Sequence, residues 1–188
     1  MARPVIPMIV PWHKTMWNQG VWPFATFFSC GRTRIAIIAG DSEYSVTHER
    51  MRGALKALHD AGLQLAGEAR FGPWEAEWGR AAARLLLNDG AAFDAVICQN
   101  DVLARGCIEE LERNGCRVPQ DVAVIGHDNS PDYVSYAHPL LTSIDDNNEM
   151  LGRQAALCLL DAIAGHPHHG VERVPVKLIQ RESTLPLD

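Results

Sequence analysis

From about residue 34 onward, short apolar runs alternate with stretches of helical period. Arg34-Ile35-Ala36-Ile37-Ile38-Ala39-Gly40 is β-branched, uncharged after its first residue and ended by glycine, which predicts a strand buried on both faces. A helix is expected over 47–61, with Met51, Ala54, Leu55 and Leu58 inward and Gly62 where the helix end needs left-handed backbone. Residues 63–71 form a second, weaker strand, and Pro73 opens a helix with Trp78, Ala81, Ala82, Leu85 and Leu86 inward. A third strand is expected over 93–98, then a helix over 102–114 capped by Asp101 and closed by Gly115. After the turn Arg117-Val118-Pro119-Gln120-Asp121 comes a fourth strand, 122–126. A short strand over 140–144, a strongly amphipathic helix over 149–164 stopped by Gly165, and a strand over 174–180 complete the pattern. Such alternation implies βαβ units: an α/β fold whose parallel sheet carries helices on both faces.

Ligands of an open parallel sheet bind outside the carboxyl ends of its strands, so the residues just after each strand are the informative ones. They are Asp41, Ser42, Tyr44, Ser45, Thr47 and His48-Glu49-Arg50, then Gly72-Pro73-Trp74, Gln99-Asn100-Asp101, His127-Asp128-Asn129, and Asp145 with Asp146. Every strand end delivers polar or aromatic chemistry to one edge. Arg50, Asn100 and Asp128 offer forked donors, an amide and paired acceptors, which grip vicinal hydroxyls bidentately. Trp74 adds a plate that stacks on a ring, so the set suits a sugar or a nucleobase. Each also has a purely structural reading. Trp74 could staple its helix to the sheet, Asp101 cap a helix, Arg50 pair with Glu49 or Asp41, and Asp128 bond its own turn.

A catalytic reading fares worse. Asp145 and Asp146 are adjacent on extended backbone and point opposite ways. Ser130 lacks the Gly-x-Ser-x-Gly elbow. Gly40-Asp41-Ser42-Glu43 holds one glycine, not a phosphate-binding fingerprint. No catalytic residue, cofactor or metal is therefore expected. The His166-Pro167-His168-His169-Gly170 segment is taken as a solvated loop, since no Cys or carboxylate beside it completes a ligand set.

Composition narrows the field further. The chain has 188 residues, 47% hydrophobic, with 17 Lys+Arg against 23 Asp+Glu and a formal charge of -6, so it carries no basic stripe for a phosphate backbone. The five cysteines, Cys30, Cys98, Cys107, Cys116 and Cys158, lack paired close spacing and read as free thiols of a reducing compartment. No run of about 18 apolar residues crosses a membrane, and the first 20 residues do not look like a secretion signal. A cytoplasmic protein is expected.

The segments Asn100-Asp101-Val102-Leu103-Ala104-Arg105-Gly106, Val118-Pro119-Gln120-Asp121-Val122-Ala123-Val124-Ile125-Gly126-His127-Asp128-Asn129, Pro139-Leu140-Leu141-Thr142-Ser143-Ile144 and Arg181-Glu182-Ser183-Thr184 resemble the effector domain of LacI-type repressors. So do residues 32–40 and Glu49-Arg50-Met51-Arg52-Gly53, and the resemblance runs from about Trp22 to Leu185. It implies a periplasmic-binding-protein-like (type I) fold of two lobes that closes on a small effector and transmits the change to operator DNA. It further implies a homodimer. By position it carries ligand-binding roles onto Arg50, Asn100, Asp128, Trp74 and Asp146, the last a carboxylate where an amide is common. His127 stands where tyrosine or phenylalanine is usual. The DNA-binding headpiece and most of the first lobe have no counterpart here, so the chain reads as N-terminally truncated, with DNA contact left to an absent headpiece. Residues 1–31 are expected to be an unassigned segment and a remnant of the first lobe, including Phe27-Phe28-Ser29-Cys30. Residues 32–188 are expected to be the effector-binding second lobe with its crossover segments. The implied function is sensing a sugar or polyol for a transcription regulator. The alternatives are a lobe of a periplasmic-type sugar-binding protein and a doubly wound α/β enzyme.

Overall fold

A computed structural model describes residues 26, 27, 30–90 and 92–184. The expectations for residues 1–21, and for Trp22, Phe28, Ser29 and Leu185, fall outside these. The strands are β1 (Ile35–Ala39), β2 (Arg70–Phe71), β3 (Ala95–Cys98), β4 (Ala123–His127), β5 (Thr142–Asp145) and β6 (Lys177–Ile179). The helices are α1 (Ser45–Asp60), α2 (Ala76–Asn88), α3 (Asp101–Arg113), the single turn α4 (Pro131–Val134) and α5 (Asn148–Ile163).

The strands form one sheet in the order β2-β1-β3-β4-β5-β6. The first five are parallel, and β6 joins β5 antiparallel. Its central strands are buried on both faces, which is why they lack polar alternation. One set of their residues, Ile35, Ile37, Ala39, Ala95, Ile97, Ala123 and Ile125, meets Met51, Ala54, Ala57 and Leu58 of α1. The other set, Ala36, Ile38, Val96, Cys98 and Val124, meets Ala82, Ala83 and Leu86 of α2 and Leu103, Ala104, Cys107 and Leu111 of α3. The sheet is therefore a layer between helices, as the βαβ pattern predicted.

Four local expectations need correction. Leu55 and Leu85 point to solvent rather than inward. The strand expected over 63–71 shrinks to its last two residues, with only an isolated bridge from Leu65 to Ile35 before them. The cap of α3 is Asn100, whose side-chain oxygen accepts from Leu103 N at 2.8 Å; Asp101 is buried elsewhere. The amphipathic helix forms as α5, but none of its residues is buried, and Leu157, Leu159, Leu160 and Ile163 are exposed.

The closing Arg181-Glu182-Ser183-Thr184 segment locks the sheet together. Ser183 O accepts from Val124 N at 2.9 Å, Ser183 N donates to Leu140 O at 2.9 Å, and Ser183 Oγ donates to Val124 O at 2.6 Å. It therefore completes backbone bonds of β4 and of the residues leading into β5, groups that would otherwise be buried without partners.

Candidate functional site

The parallel topology aligns the carboxyl ends of β1, β2, β3, β4 and β5, and the segments that follow them carry side chains over that edge. Arg50 lies about one and a half turns into α1, the helix that follows β1, and is buried. Its Nη1 donates to the carbonyl oxygen of Gln99 at the end of β3. Its Nη2 lies 3.4 Å from Asp128 Oδ1 beyond β4 and 3.8 Å from Asp146 Oδ2 beyond β5. One guanidinium thus ties three strand ends together. Asp146 is 1% exposed in its side chain and Asp128 is 42% exposed, so of the two carboxylates it is Asp128 that is open to solvent.

Trp74 stands over this group. The Arg50 Cζ is 6.0 Å from the Trp74 ring centroid, and Tyr44 meets the same ring edge-on at 6.4 Å between centroids. A cation this close to an indole face is attracted by the ring quadrupole. The indole packs directly on the Cα of Gly40, where a Cβ would fall 2.1 Å from ring carbon Cζ2. Trp74 thus also packs on the sheet, as its structural reading had it, and Trp78, one helical turn further on, adds a second tie: its Nε1 donates to Ala39 O at 3.1 Å.

His127 and Gln99 complete the site. The His127 ring is buried, with Nδ1 3.0 Å from Asp128 Oδ1 and Nε2 3.5 Å from Asp146 Oδ1. Burial, then the nearby Arg50 charge, holds its pKa below the usual 6.5, against the opposing pull of Asp128 and Asp146. Gln99 Oε1 accepts from Gly40 N at 3.2 Å and Gln99 Nε2 donates to Thr47 O at 3.1 Å, fixing the turn between β1 and α1. Both residues sit at strand ends in the sequence, which is the signal that marks them.

The loop carrying Asp128 is held in an unfavourable conformation. Asp128 and Asn129 have φ of 100° and 50°, a region that ordinary residues avoid and that persists only where neighbours over-determine it. Here the neighbours bind three consecutive backbone amides of the loop. Asp128 N donates to Ile144 O at 2.9 Å, Asn129 N to Ser143 Oγ at 3.0 Å, and Ser130 N to Asp101 Oδ2 at 2.8 Å. Asp101 Oδ1 also accepts from Ser143 Oγ at 2.5 Å. Asp101 is thus the tie between α3, β5 and this loop. Burial pushes its pKa up to about 7, against the opposing pull of its bonds from Ser143 and Ser130.

The structure therefore brings Arg50, Trp74, Asp128 and Asp146 together. Asn100 stands at the same edge, but its oxygen is spent on capping α3, which leaves the amide nitrogen as what it can offer a ligand. Arg50 pairs with Asp128 and Asp146, two acidic partners that the sequence-local choices, Glu49 and Asp41, did not include. His127, Asp128 and Asp146 also have the spacing of a metal ligand set. The guanidinium of Arg50 already supplies the cation among them.

Residues 24–184 match the model of the periplasmic binding protein-like domain. Curated relatives include the HTH-type transcriptional repressor CytR of Escherichia coli, 36% identical over 160 residues, which span 84% of this chain and 46% of the relative. The HTH-type transcriptional regulator CelR of Thermobifida fusca is 36% identical over 155 residues, 81% of this chain and 45% of the relative. Among solved structures, a Lac repressor dimer bound to operator and an anti-inducer superposes with a TM-score of 0.86 at 28% identity, covering 92% of this chain and 52% of that one. A CelR–cellobiose complex gives 0.75 at 33% identity, covering 84% and 48%. The chain spans about half the length of the curated relatives it matches.

Proposed function

This chain belongs to the periplasmic binding protein-like family, alongside the LacI-type repressors, and on that premise we propose that it is the effector-sensing part of a transcriptional regulator. Its ligand is a sugar or a related polyhydroxylated small molecule, and its site is the edge defined by Arg50, Trp74, Asn100, Asp128 and Asp146. The observation that carries this reading is the single guanidinium of Arg50, bound to Gln99, Asp128 and Asp146 beneath an indole face. A fixed fork of donors, the half-exposed Asp128 carboxylate and an apolar plate match the hydroxyls and the ring face of a sugar. The solved CelR complex with cellobiose supports that choice of ligand class.

In this reading residues 32–188 are the second lobe with its crossovers, and residues 1–31 are an unassigned segment together with a remnant of the first. The ligand sits between lobes and acts by binding their closed arrangement more tightly than the open one; without that difference in affinity it shifts nothing. The full-length protein is a cytoplasmic homodimer that contacts operator DNA through a separate domain. The repressor identity of the relatives favours this over a catalyst.

The test is a thermal-shift and calorimetric panel of mono- and disaccharides, nucleosides and purines on the full-length protein. A sugar that raises the melting temperature of the wild type, but not of Arg50→Ala, supports the proposal. Turnover of a sugar or nucleoside, abolished by Asp128→Ala, replaces it with the enzyme reading.

A further inference from the structure

The end of α5 carries chemistry that the effector site does not use. Cys158 and Asp161 lie one turn apart on α5, hence on the same face. Gly165 then turns the chain with φ of 91°, His166 N donates to Asp161 O at 2.9 Å, and the loop folds back along the helix. This return brings His168 and Glu172 to the two helix residues. His168 Nε2 is 2.8 Å from Asp161 Oδ2, and His168 Nδ1 is 3.3 Å from Glu172 Oε1. One ligand atom each of Cys158, His168 and Glu172 lies within 4.8 Å of the others. The Cys and carboxylates that the sequence around the histidine loop did not show are supplied by the fold.

We propose that Cys158, His168 and Glu172 form a binding site for a divalent transition metal ion, zinc above all, with Asp161 orienting His168. The donors are a thiolate, an imidazole and a carboxylate, the set that zinc takes in four-coordinate sites with one position left to water. Tetrahedral bonds of about 2.0–2.3 Å place ligand atoms roughly 3.4–3.8 Å apart, so small rotamer changes in half-exposed side chains close the present spacing. Asp161 supplies what a metal-bound histidine requires. It accepts the Nε2 proton and so leaves the Nδ1 lone pair for the ion, the carboxylate–histidine–metal arrangement.

The ion takes the place of the Cys158 thiol proton, which leaves to solvent. Thiolate and carboxylate then balance the dication. Affinity should accordingly rise with pH.

The site is separate from the effector edge, and so is its test. Co²⁺ is titrated into the chain in non-coordinating buffer with a phosphine reductant. One equivalent should bind with a near-ultraviolet thiolate-to-cobalt charge-transfer band, and Zn²⁺ should displace it. Cys158→Ser should abolish the band, whereas Asp161→Asn should keep it and weaken binding by about tenfold. Melting curves recorded without metal establish that both variants fold. Failure to bind cobalt, binding without the charge-transfer band, or a band that survives Cys158→Ser overturns the proposal.

Discussion

The guanidinium of Arg50 and the indole of Trp74 lie 6.0 Å apart, centre to centre, so the group that would grip a ligand and the surface that would stack on it form one unit. Neither is free to move alone. Arg50 is anchored below by the Gln99 carbonyl and flanked by two carboxylates, while Trp74 is seated on Gly40. Preorganisation of this kind lowers the ordering cost of binding.

Removing the guanidinium should therefore hurt folding as well as binding. Arg50→Ala leaves the Asp146 carboxylate buried without its cation, and we expect a loss of about 3 kcal/mol of stability, the usual result of breaking a buried pair from one side. Urea unfolding at unchanged slope measures it. In the full-length protein the same change should weaken sugar binding by more than about 1 kcal/mol; a smaller loss sinks the site as drawn.

Gly40→Ala should unseat Trp74. The new methyl group would overlap the indole carbons, and the backbone beneath is tied to Gln99, so the ring must swing away. We expect a destabilisation of about 1–3 kcal/mol by overpacking, an altered near-ultraviolet circular dichroism spectrum and weaker sugar binding. An unchanged spectrum with full affinity would show that the ring has no part in recognition.

Asp101 should make stability fall as pH rises. Its native pKa of about 7 lies above the ordinary 3.8, so between those values the folded state keeps a proton that the unfolded chain has released. Stability conferred by this group is full below about pH 4, declines through the window and is lost above about pH 7. Asp101→Asn keeps an acceptor for Ser143 or Ser130 and cannot ionise. Its melting temperature should vary less over that window than that of the wild type.

His127 works in the opposite direction. Its native pKa is below 6.5, so stability drops as the pH falls from 6.5 toward the folded value, because the unfolded chain gains its proton first. His127→Phe should remove this acid-side loss. At neutral pH it forfeits the contacts with Asp128 and Asp146, a cost of about 1 kcal/mol. Melting curves at pH 5 and 7 separate the two effects.

The sheet was legible in the sequence wherever burial on both faces left an unbroken apolar run, as at Ile35–Ala39 and Ala95–Cys98. It was illegible where pairing is sparse: Leu63, Gln64 and Leu65 alternate apolar and polar as a strand does, yet β1 offers residues 63–69 only the bridge at Leu65. The placing of Arg50, Trp74, Asp128 and Asp146 at one edge follows from strand ends in a parallel sheet. That Asn100 rather than Asp101 would cap α3 did not, because both residue types cap helices and the choice depends on Ser143, 42 residues away. The Cys158 cluster was hidden for a similar reason. Its members are spread over 15 positions of sequence and are joined only by the turn at Gly165.

The bare surface of α5 should be visible in the rate at which its amides trade protons for deuterons. The strands at the centre of the sheet can exchange only when the whole domain opens, whereas a helix with no buried side chain opens alone. Within this chain α5 should be among the first of the described helices to take up deuterium. Zinc, by clasping Cys158 to His168 and Glu172, should slow the last turn and spare the first, turning a fraying end into the more durable half of the helix.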